Sequence, residues 1–329
     1  MTAGEPTQRG ALGDAAPLHA PHRSRGRFFN PWNPATRGIT DVLRWKLASN
    51  PYGPRRLPPD VPVLANDGGY LAEISEPSSI TWVGHATFAL QDGPDVILTD
   101  PHWGPRALLP PRLTPPGIPL VAVPDRAFAV LSHNHYDHLD AWTVARLPAI
   151  PWFVPLGLAR WLRGRCAGPV VELDWWQSAR HGRWTLTCLP AQHWSNRLGM
   201  GRNTTLWCSW LLDSGSRRVY FAGDSGYFEG YREIGRRLGP IDLALLPIGA
   251  YEPRWFMRLQ HMEPAEALCA FRDLGAAHMI PMHWGVFDLT DEPVDLAPRV
   301  LAHELALDPT EAGRVHPLAI GERWRFPRQ

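Results

Sequence analysis

Lysine is almost missing from this 329-residue chain: Lys46 stands alone, and arginine carries nearly all the positive charge. Nothing functional is drawn from that bias. An excess of either charge sign is missing too, with 33 basic against 32 acidic residues and a formal net charge of +1. Such a balance gives no reason to expect nucleic acid as a partner. The basic cluster His22-Arg23-Ser24-Arg25 reads as part of a solvated tail. The cysteines, Cys166, Cys188, Cys208 and Cys269, include no C-x-x-C pair. That argues against a zinc ribbon or a disulfide framework and for a reduced, cytoplasmic setting. The opening Met1-Thr2-Ala3-Gly4-Glu5-Pro6 has no charged start followed by an apolar run, so no secretory signal is expected. No stretch approaches the ~18 apolar residues of a membrane-spanning helix. The expectation is a soluble protein that can still touch the inner face of a membrane.

What is present is core material. Hydrophobic residues make up 44% of the chain, and its length suits one large domain or two modest ones. The 16 tryptophans fit cores, lipid interfaces and apolar pockets equally. Residues 1–27, rich in Gly, Pro, Ala and Arg, read as a poorly ordered tail. Residues 28–70 read as a proline-rich N-terminal extension packing on a catalytic domain at 71–329. The extension holds one predicted helix, Asp41–Leu47, with Val42, Leu43, Trp45 and Leu47 as an apolar stripe. Short β-branched and aromatic runs predict strands at 80–83, 87–90, 96–99, 128–131, 184–187, 207–212, 219–222 and 243–246. Helices are predicted near 139–146, 156–163, 229–238 and 264–274, the last with Pro264 at its first position and Glu266 in its first turn. Strands first, then strands alternating with helices, fit an α/β (α+β) arrangement: two mixed sheets packed together with helices outside.

The chemistry concentrates in Leu131-Ser132-His133-Asn134-His135-Tyr136-Asp137-His138-Leu139-Asp140, between a predicted strand and a predicted helix. His133 and His135, two apart in extended chain, project to one side and can share an ion. Asp137 and His138 begin the turn and can address a second. Imidazole and carboxylate together suit zinc, and less specifically manganese or iron. Further candidates end other strands: His193 after Leu186–Leu189, Asp224 between glycines in Ala222-Gly223-Asp224-Ser225-Gly226, and His283 in Ile280-Pro281-Met282-His283.

The ordered set H-x-H-x-D-H, then H, D and H, resembles the metallo-β-lactamase superfamily, which implies an αββα sandwich with one or two metals at the sheet edges. Longer blocks resemble the family of N-acylphosphatidylethanolamine-hydrolysing phospholipases D. They are Leu246-Pro247-Ile248-Gly249-Ala250-Tyr251-Glu252-Pro253-Arg254-Trp255-Phe256-Met257 with Gln260-His261, Trp82-Val83-Gly84-His85-Ala86-Thr87, Leu98-Thr99-Asp100-Pro101 and Ile280-Pro281-Met282-His283-Trp284-Gly285. Arg27-Phe28-Phe29-Asn30-Pro31-Trp32 and Val42-Leu43-Arg44-Trp45 are similar too. The resemblance implies His133, His135 and His193 on one zinc, Asp137, His138 and His283 on a second, and Asp224 bridging them. The chain departs from it at Pro101-His102-Trp103, where an apolar pair is commoner; His102 reads as a loop histidine. His85 reads as support for the site, not as a ligand.

Two divalent ions about 3.5–4 Å apart would share a water and yield hydroxide near neutral pH. With Asp137 and Asp224 as catalytic ligands, that hydroxide would attack phosphorus and release phosphatidic acid and an N-acylethanolamine. The resemblance places a functional histidine at His261, the candidate proton donor to the leaving group. Gln260, Tyr251, Trp255 and Phe256 are the candidate substrate contacts, with Trp45 added to a lipid-facing wall. The partner is then a phospholipid or small phosphodiester, with peripheral membrane contact, and a homodimer stays open. A lactonase or other carbonyl hydrolase is the alternative, because the same apparatus attacks carbonyl carbon. The short stretch between Asp224 and His283 leaves no room for the large inserted domain of one nuclease branch.

Overall fold

The computed structural model describes residues 16–35, 37–53 and 58–327. In chain order, a small ribbon β1 (Arg23–Ser24) and β2 (Arg27–Phe28) precedes helix α1 (Ile39–Leu47). The first half of the domain holds β3 (Ser75–Gly84), β4 (Thr87–Gly93), β5 (Asp95–Thr99), β6 (Phe128–Val130), α2 (Ala141–Val144), β7 (Trp152–Pro155), α3 (Ala159–Leu162) and β8 (Val170–Leu173). The second half holds β9 (Ser178–His181), β10 (Trp184–Leu189), β11 (Ser209–Asp213), β12 (Arg218–Phe221), α4 (Gly230–Leu238), β13 (Ile241–Pro247), α5 (Arg254–Met257), α6 (Pro264–Leu274) and β14 (Ala276–Met282). Helix α7 (Ala297–Leu307) follows, and β15 (Arg323–Arg325) returns to the first sheet.

The strands form two mixed sheets, ordered β15-β3-β4-β5-β6-β7-β8 and β14-β13-β12-β11-β10-β9. In the first, β5 to β8 are parallel and the β3–β4–β5 edge is antiparallel. In the second, β12, β13 and β14 are parallel, and β10 runs the same way because it pairs antiparallel with β11. The first sheet's strands carry apolar residues on both faces, as strands covered on both sides must. Ile80, Trp82, Phe88, Leu90, Ile97, Phe128, Val130 and Phe153 point into the layer between the sheets. Their alternates Val83, Ala89, Val96, Leu98, Ala129, Trp152 and Val154 pack under Leu139, Val144, Leu158 and Leu162 near α2 and α3. Phe271 and Leu274 of α6, with Tyr231 and Ile234 of α4, cover the second sheet. The result is the helix–sheet–sheet–helix sandwich that the sequence led us to expect.

Every predicted strand exists, and α6 has the predicted bounds, started by Pro264 and stopped by Gly275 in the left-handed region (φ 62°). Strands β7, β8, β9 and β15 were not predicted; they are short, and β8, β9 and β15 lie at sheet edges where little apolar alternation is needed. The predicted helix at 139–146 is shorter because Asp140 caps it, accepting from the N–H groups of Trp142 and Thr143. One expectation needs correction. The predicted loose tail lies outside the described residues as far as residue 15, but residues 16–27 are tied down. Leu18 is buried, its carbonyl accepts from Trp176 Nε1, and His22 stacks on Trp175 while its Nε2 lies 2.8 Å from Asp174. Low complexity there hid the anchoring side chains of Leu18 and His22. Farther along, Trp32 stacks on Phe228, and Trp45 packs on Phe256.

Trp210 is wholly buried between the sheets, and its indole N–H donates to the Leu131 carbonyl at 2.9 Å, just upstream of the histidine cluster. Trp210→Ala should destabilise the fold by about 3–5 kcal/mol, through lost burial and the cavity left behind. Urea unfolding reads this directly, as a lowered midpoint at an unchanged slope.

Candidate metal centre

The strand directions bring the C-terminal ends of β3, β6, β10, β12 and β14 to one edge of the sandwich, and each continues into a residue of the site. His85 follows β3, the His133–His138 run follows β6, His193 follows β10, Asp224 follows β12 and His283 follows β14. His85 (φ 55°), Asp100 (φ 34°) and His283 (φ 64°) take left-handed backbone that turns the chain sharply at the strand end. Strain of this kind gathers where side-chain aim matters.

Two groups of side chains form. In one, His133 Nε2 lies 2.8 Å from His135 Nδ1, which lies 3.2 Å from His193 Nε2. In the other, Asp137 Oδ2 is 3.4 Å from both His138 Nε2 and His283 Nε2, and 2.9 Å from His85 Nε2. Asp224 stands between them. Its Oδ2 is 3.1 Å from His138, 3.6 Å from His193 and 3.8 Å from His133, while its Oδ1 is 2.9 Å from His283. All the sequence-derived ligand candidates are therefore brought together, Asp137, His138 and His283 beside His85, and His133, His135 and His193 beside Asp224. Ligand atoms at about 2.0–2.1 Å around one tetrahedral zinc lie ~3.3 Å apart, close to the first set's spacing.

A second observation tests the fit. His138 Nε2, His283 Nε2 and Asp224 Oδ1 are buried and find no hydrogen bond despite these short separations. Atoms aimed at a common cation, and not at each other, behave this way. The far nitrogens of three rings are held: His138 Nδ1 donates to Asp100 Oδ2 at 2.6 Å, His193 Nδ1 donates to the Gln260 carbonyl at 3.0 Å, and His133 Nδ1 is 2.9 Å from Ser132 Oγ. Such partners fix ring orientation and are the usual companions of metal-ligating histidines. Arg197 pins the loop itself, donating to the carbonyls of Asn134 and Leu139.

The electrostatics agree. Burial pushes His133, His135 and His193 toward the neutral form, His135 down to about 4 and His193 down to about 3. Neutral rings are what a metal requires. Burial opposes charge on His138 and His283 as well, but Asp224 and Asp137 outweigh it, raising His283 to about 9 and His138 well above its ordinary value. The two carboxyls, which burial alone would raise, are held well below the usual carboxylate range, chiefly by His138. Positive charge is thus wanted at this spot, and protons on two imidazoles supply it where a divalent ion would.

The centre opens into a cavity of about 440 Å³, lined by Val42, Trp45, Leu108, Phe256, Met257 and Leu289 among others, with Asn196, Gln260, His261 and Thr290 as polar groups. Gln260 and Phe256 lie where the sequence placed them. Tyr251 does not: its ring is buried in the core, and its N–H donates to Glu292. Trp255 is also elsewhere, half-buried, with its ring under the Arg44 and Arg37 guanidiniums. An apolar ring serves a core as well as a pocket, which is why sequence could not separate these cases. His261 stands at the rim of the centre, Nδ1 4.0 Å from Asp224 Oδ2. Burial, reinforced by His193 and His283 against the pull of Asp224, holds it down to about 3. His102 is buried against Phe287 and Arg112 and joins neither group. Asp100 was missed as a site residue. Its signals were a carboxylate directly after the apolar run Val96–Thr99 and its place in the family-like block Leu98–Pro101, and it anchors both His138 and the Ser132 N–H.

Comparison with known proteins agrees with this geometry. Residues 96–284 match the β-lactamase superfamily domain. The chain is 42% identical over 244 residues to N-acyl-phosphatidylethanolamine-hydrolyzing phospholipase D 1 of Caenorhabditis elegans, covering 68% of each protein. It is 39% identical over 314 residues to an uncharacterized protein of Mycobacterium tuberculosis, covering 88% of this chain and 82% of that one. A metallo hydrolase from Ignicoccus hospitalis superposes with a TM-score of 0.58 at 22% identity, over 77% of this chain and 99% of its own, which is a likeness of fold.

The shifted histidines make the metal-free protein's stability depend on pH in two opposed ways. His135 and His193 have folded values below the unfolded ~6.5, so their contribution is present above that pH and lost as pH falls through about 4 and 3. His283, raised to about 9, contributes below ~6.5 and loses its contribution as pH rises through 9. Thermal midpoints of chelator-treated protein should therefore peak around ~6.5. Added zinc should abolish the alkaline decline, because the ion replaces the protons on His138 and His283. A flat alkaline limb without metal would show that these rings carry no such charge.

Proposed function

Since the chain belongs to the β-lactamase superfamily, and within it to the N-acylphosphatidylethanolamine phospholipase D-like family of metal-dependent hydrolases, we propose that it cleaves the phosphodiester of N-acylphosphatidylethanolamine-like lipids. The products would be phosphatidic acid and an N-acylethanolamine. The observation that carries this reading is the apolar cavity opening directly over the two histidine–carboxylate groups. A small polar substrate would have no use for walls of Val42, Trp45, Leu108, Phe256, Met257 and Leu289.

In this reading His133, His135 and His193 would hold one zinc and Asp137, His138 and His283 a second, with Asp224 available to both. Two such ions supply an activated water at neutral pH and positive charge for the phosphate oxygens. The chain's own groups do the rest. His85 fixes the Asp137 carboxylate, and Asp100 fixes His138. The apolar walls seat an acyl chain and exclude water, which strengthens every charge interaction inside. Gln260 and Asn196 offer amides to the polar middle of the lipid. His261, neutral at physiological pH, offers the departing oxygen a ring N–H hydrogen bond and brings no standing positive charge.

A lipid must enter from a membrane. No helix among the described residues is long and apolar enough to cross one. Helix α1 nonetheless shows two apolar sides: Val42 and Trp45 face the cavity, while Ile39 (72% exposed), Leu43 (54%) and Leu47 (86%) form an i, i+4, i+8 stripe open to solvent. Leu108 and Leu109, also exposed, stand at the cavity as well. Apolar side chains beside Arg44 and Lys46 suit the headgroup–acyl boundary of a bilayer.

Zinc-loaded protein mixed with N-acylphosphatidylethanolamine vesicles should release phosphatidic acid and N-acylethanolamine, identified by mass spectrometry. Asp224→Asn should lower the rate by at least about 100-fold, the scale of losing a main electrostatic element. Intact lipid together with turnover of lactones would sink the phosphodiester reading and leave the metallohydrolase. Separately, Leu43→Asp/Leu47→Asp should reduce co-sedimentation with those vesicles several-fold while zinc content stays unchanged; undiminished binding would remove α1 from the membrane contact.

A further inference from the structure

The segment Arg27-Phe28-Phe29-Asn30-Pro31-Trp32 contributes nothing to the cavity lining, yet its polar side chains end on the loops that build the centre. His193 lies just beyond β10, in the long connection to β11 from residue 190 to 208. Its peptide is held from the N-terminal segment. The buried Asn30 donates through Nδ2 to the His193 carbonyl at 2.9 Å, and its Oδ1 accepts from Trp207 Nε1 at 3.0 Å. Both ends of that amide are therefore fixed, which sets the direction of the peptide from which the His193 ring projects.

Trp32 acts one residue earlier. Its indole N–H donates to Gln192 Oε1, and its ring stacks on Phe228 at 5.0 Å. Gln192 in turn ties three loops together. Its Nε2 donates to the Leu259 carbonyl at 3.1 Å, and its backbone N–H donates to Ser225 Oγ at 3.0 Å. Its own carbonyl accepts the Gly226 N–H at 2.9 Å. The residues beside those contacts are Gln260, whose carbonyl holds His193 Nδ1, and Asp224.

We propose that Asn30 and Trp32 are positioning residues of the metal centre: they buckle the His193 loop to the Asp224 and Gln260 loops and so set how tightly the ion at His133, His135 and His193 is retained. The proposal rests on the metal reading above. A segment far from the chemistry in sequence thereby bears chiefly on the ion at His133, His135 and His193, and on the other only through the shared Asp224, since among the described residues no such tether reaches Asp137 or His138.

The test uses the full chain loaded with zinc and follows ion release to a competing chelator, with zinc per chain by elemental analysis. Asn30→Asp keeps the oxygen for Trp207 but turns a second oxygen on the His193 carbonyl. Trp32→Phe keeps the ring and removes the N–H. Leu18→Ala is the control, because it removes a buried side chain from the same N-terminal stretch, away from the His193 loop, and keeps the carbonyl that accepts from Trp176. Asn30→Asp and Trp32→Phe should each weaken one of the two ions about 10–100-fold, the usual cost of losing a group that orients a ligand. Leu18→Ala should lower the thermal midpoint and leave both ions at wild-type affinity. Wild-type affinity for both ions in Asn30→Asp and Trp32→Phe, with only a lowered midpoint, would overturn the proposal. Wild-type protein that binds no zinc would bring down the metal reading and this inference together, and that outcome is seen before any variant is made.

Discussion

The Asp224 carboxylate lies almost wholly out of water at the shared edge of two sheets, ringed by imidazoles that arrive from separate strands of both. A buried carboxylate without compensation costs several kcal/mol, and removing its partners leaves that cost exposed. Compensation here is distributed. His138 comes from the loop after β6 in the first sheet, while His193 and His283 come from the ends of β10 and β14 in the second. The two sheets can slide or rotate against each other only by separating these groups. The register of the sandwich and the integrity of the site are thus one constraint, and the backbone strain at His85, Asp100 and His283 is tolerated because that constraint over-determines it.

This dependence explains which features could be read from the chain. Runs such as Ile80–Val83 and Val96–Thr99 announce strands because both faces are buried. The H-x-H-x-D-H run announces a ligand cluster because the alternation of extended chain puts His133 and His135 on one side. Asp100 and Asn30 sit in family-like blocks, but the blocks do not say what either does, since each is a lone polar residue whose role comes from a partner far away in sequence. Tyr251 and Trp255 misled for the opposite reason. They sit in the most recognisable block of the chain, yet the core claims one ring and two guanidiniums cover the other. Residues 16–27, low in periodicity, are ordered by aromatic stacking that no local pattern encodes.

The structure also separates what fixes the chemistry from what selects the substrate. The ligand candidates stand beyond strand ends, and His133, Asp137, His138 and His193 are each braced by a further contact, to Ser132, His85, Asp100 and the Gln260 carbonyl. The cavity walls come from different parts: α1, the turn at Leu108–Leu109, and the α5 segment with Phe256 and Met257. These wall elements lie outside the strands that aim the ligands, so the walls can vary while those strands stay the same. A relative could keep the same metal apparatus and accept a different molecule by altering only these walls.

The N-terminal segment stands across that division. Residues 39–47 belong to the wall, with Val42 and Trp45 turned inward to the cavity and Leu43 and Leu47 turned outward. Residues 30–32 belong to the bracing, through the His193 carbonyl and Gln192. Between them the chain passes Arg37, whose guanidinium donates to the Trp255 carbonyl, and Arg202, which donates back to the Arg37 carbonyl at 2.8 Å. The wall and the bracing thus meet at Arg37, where bonds to α5 and from the Arg202 loop hold the same short stretch that leads into α1.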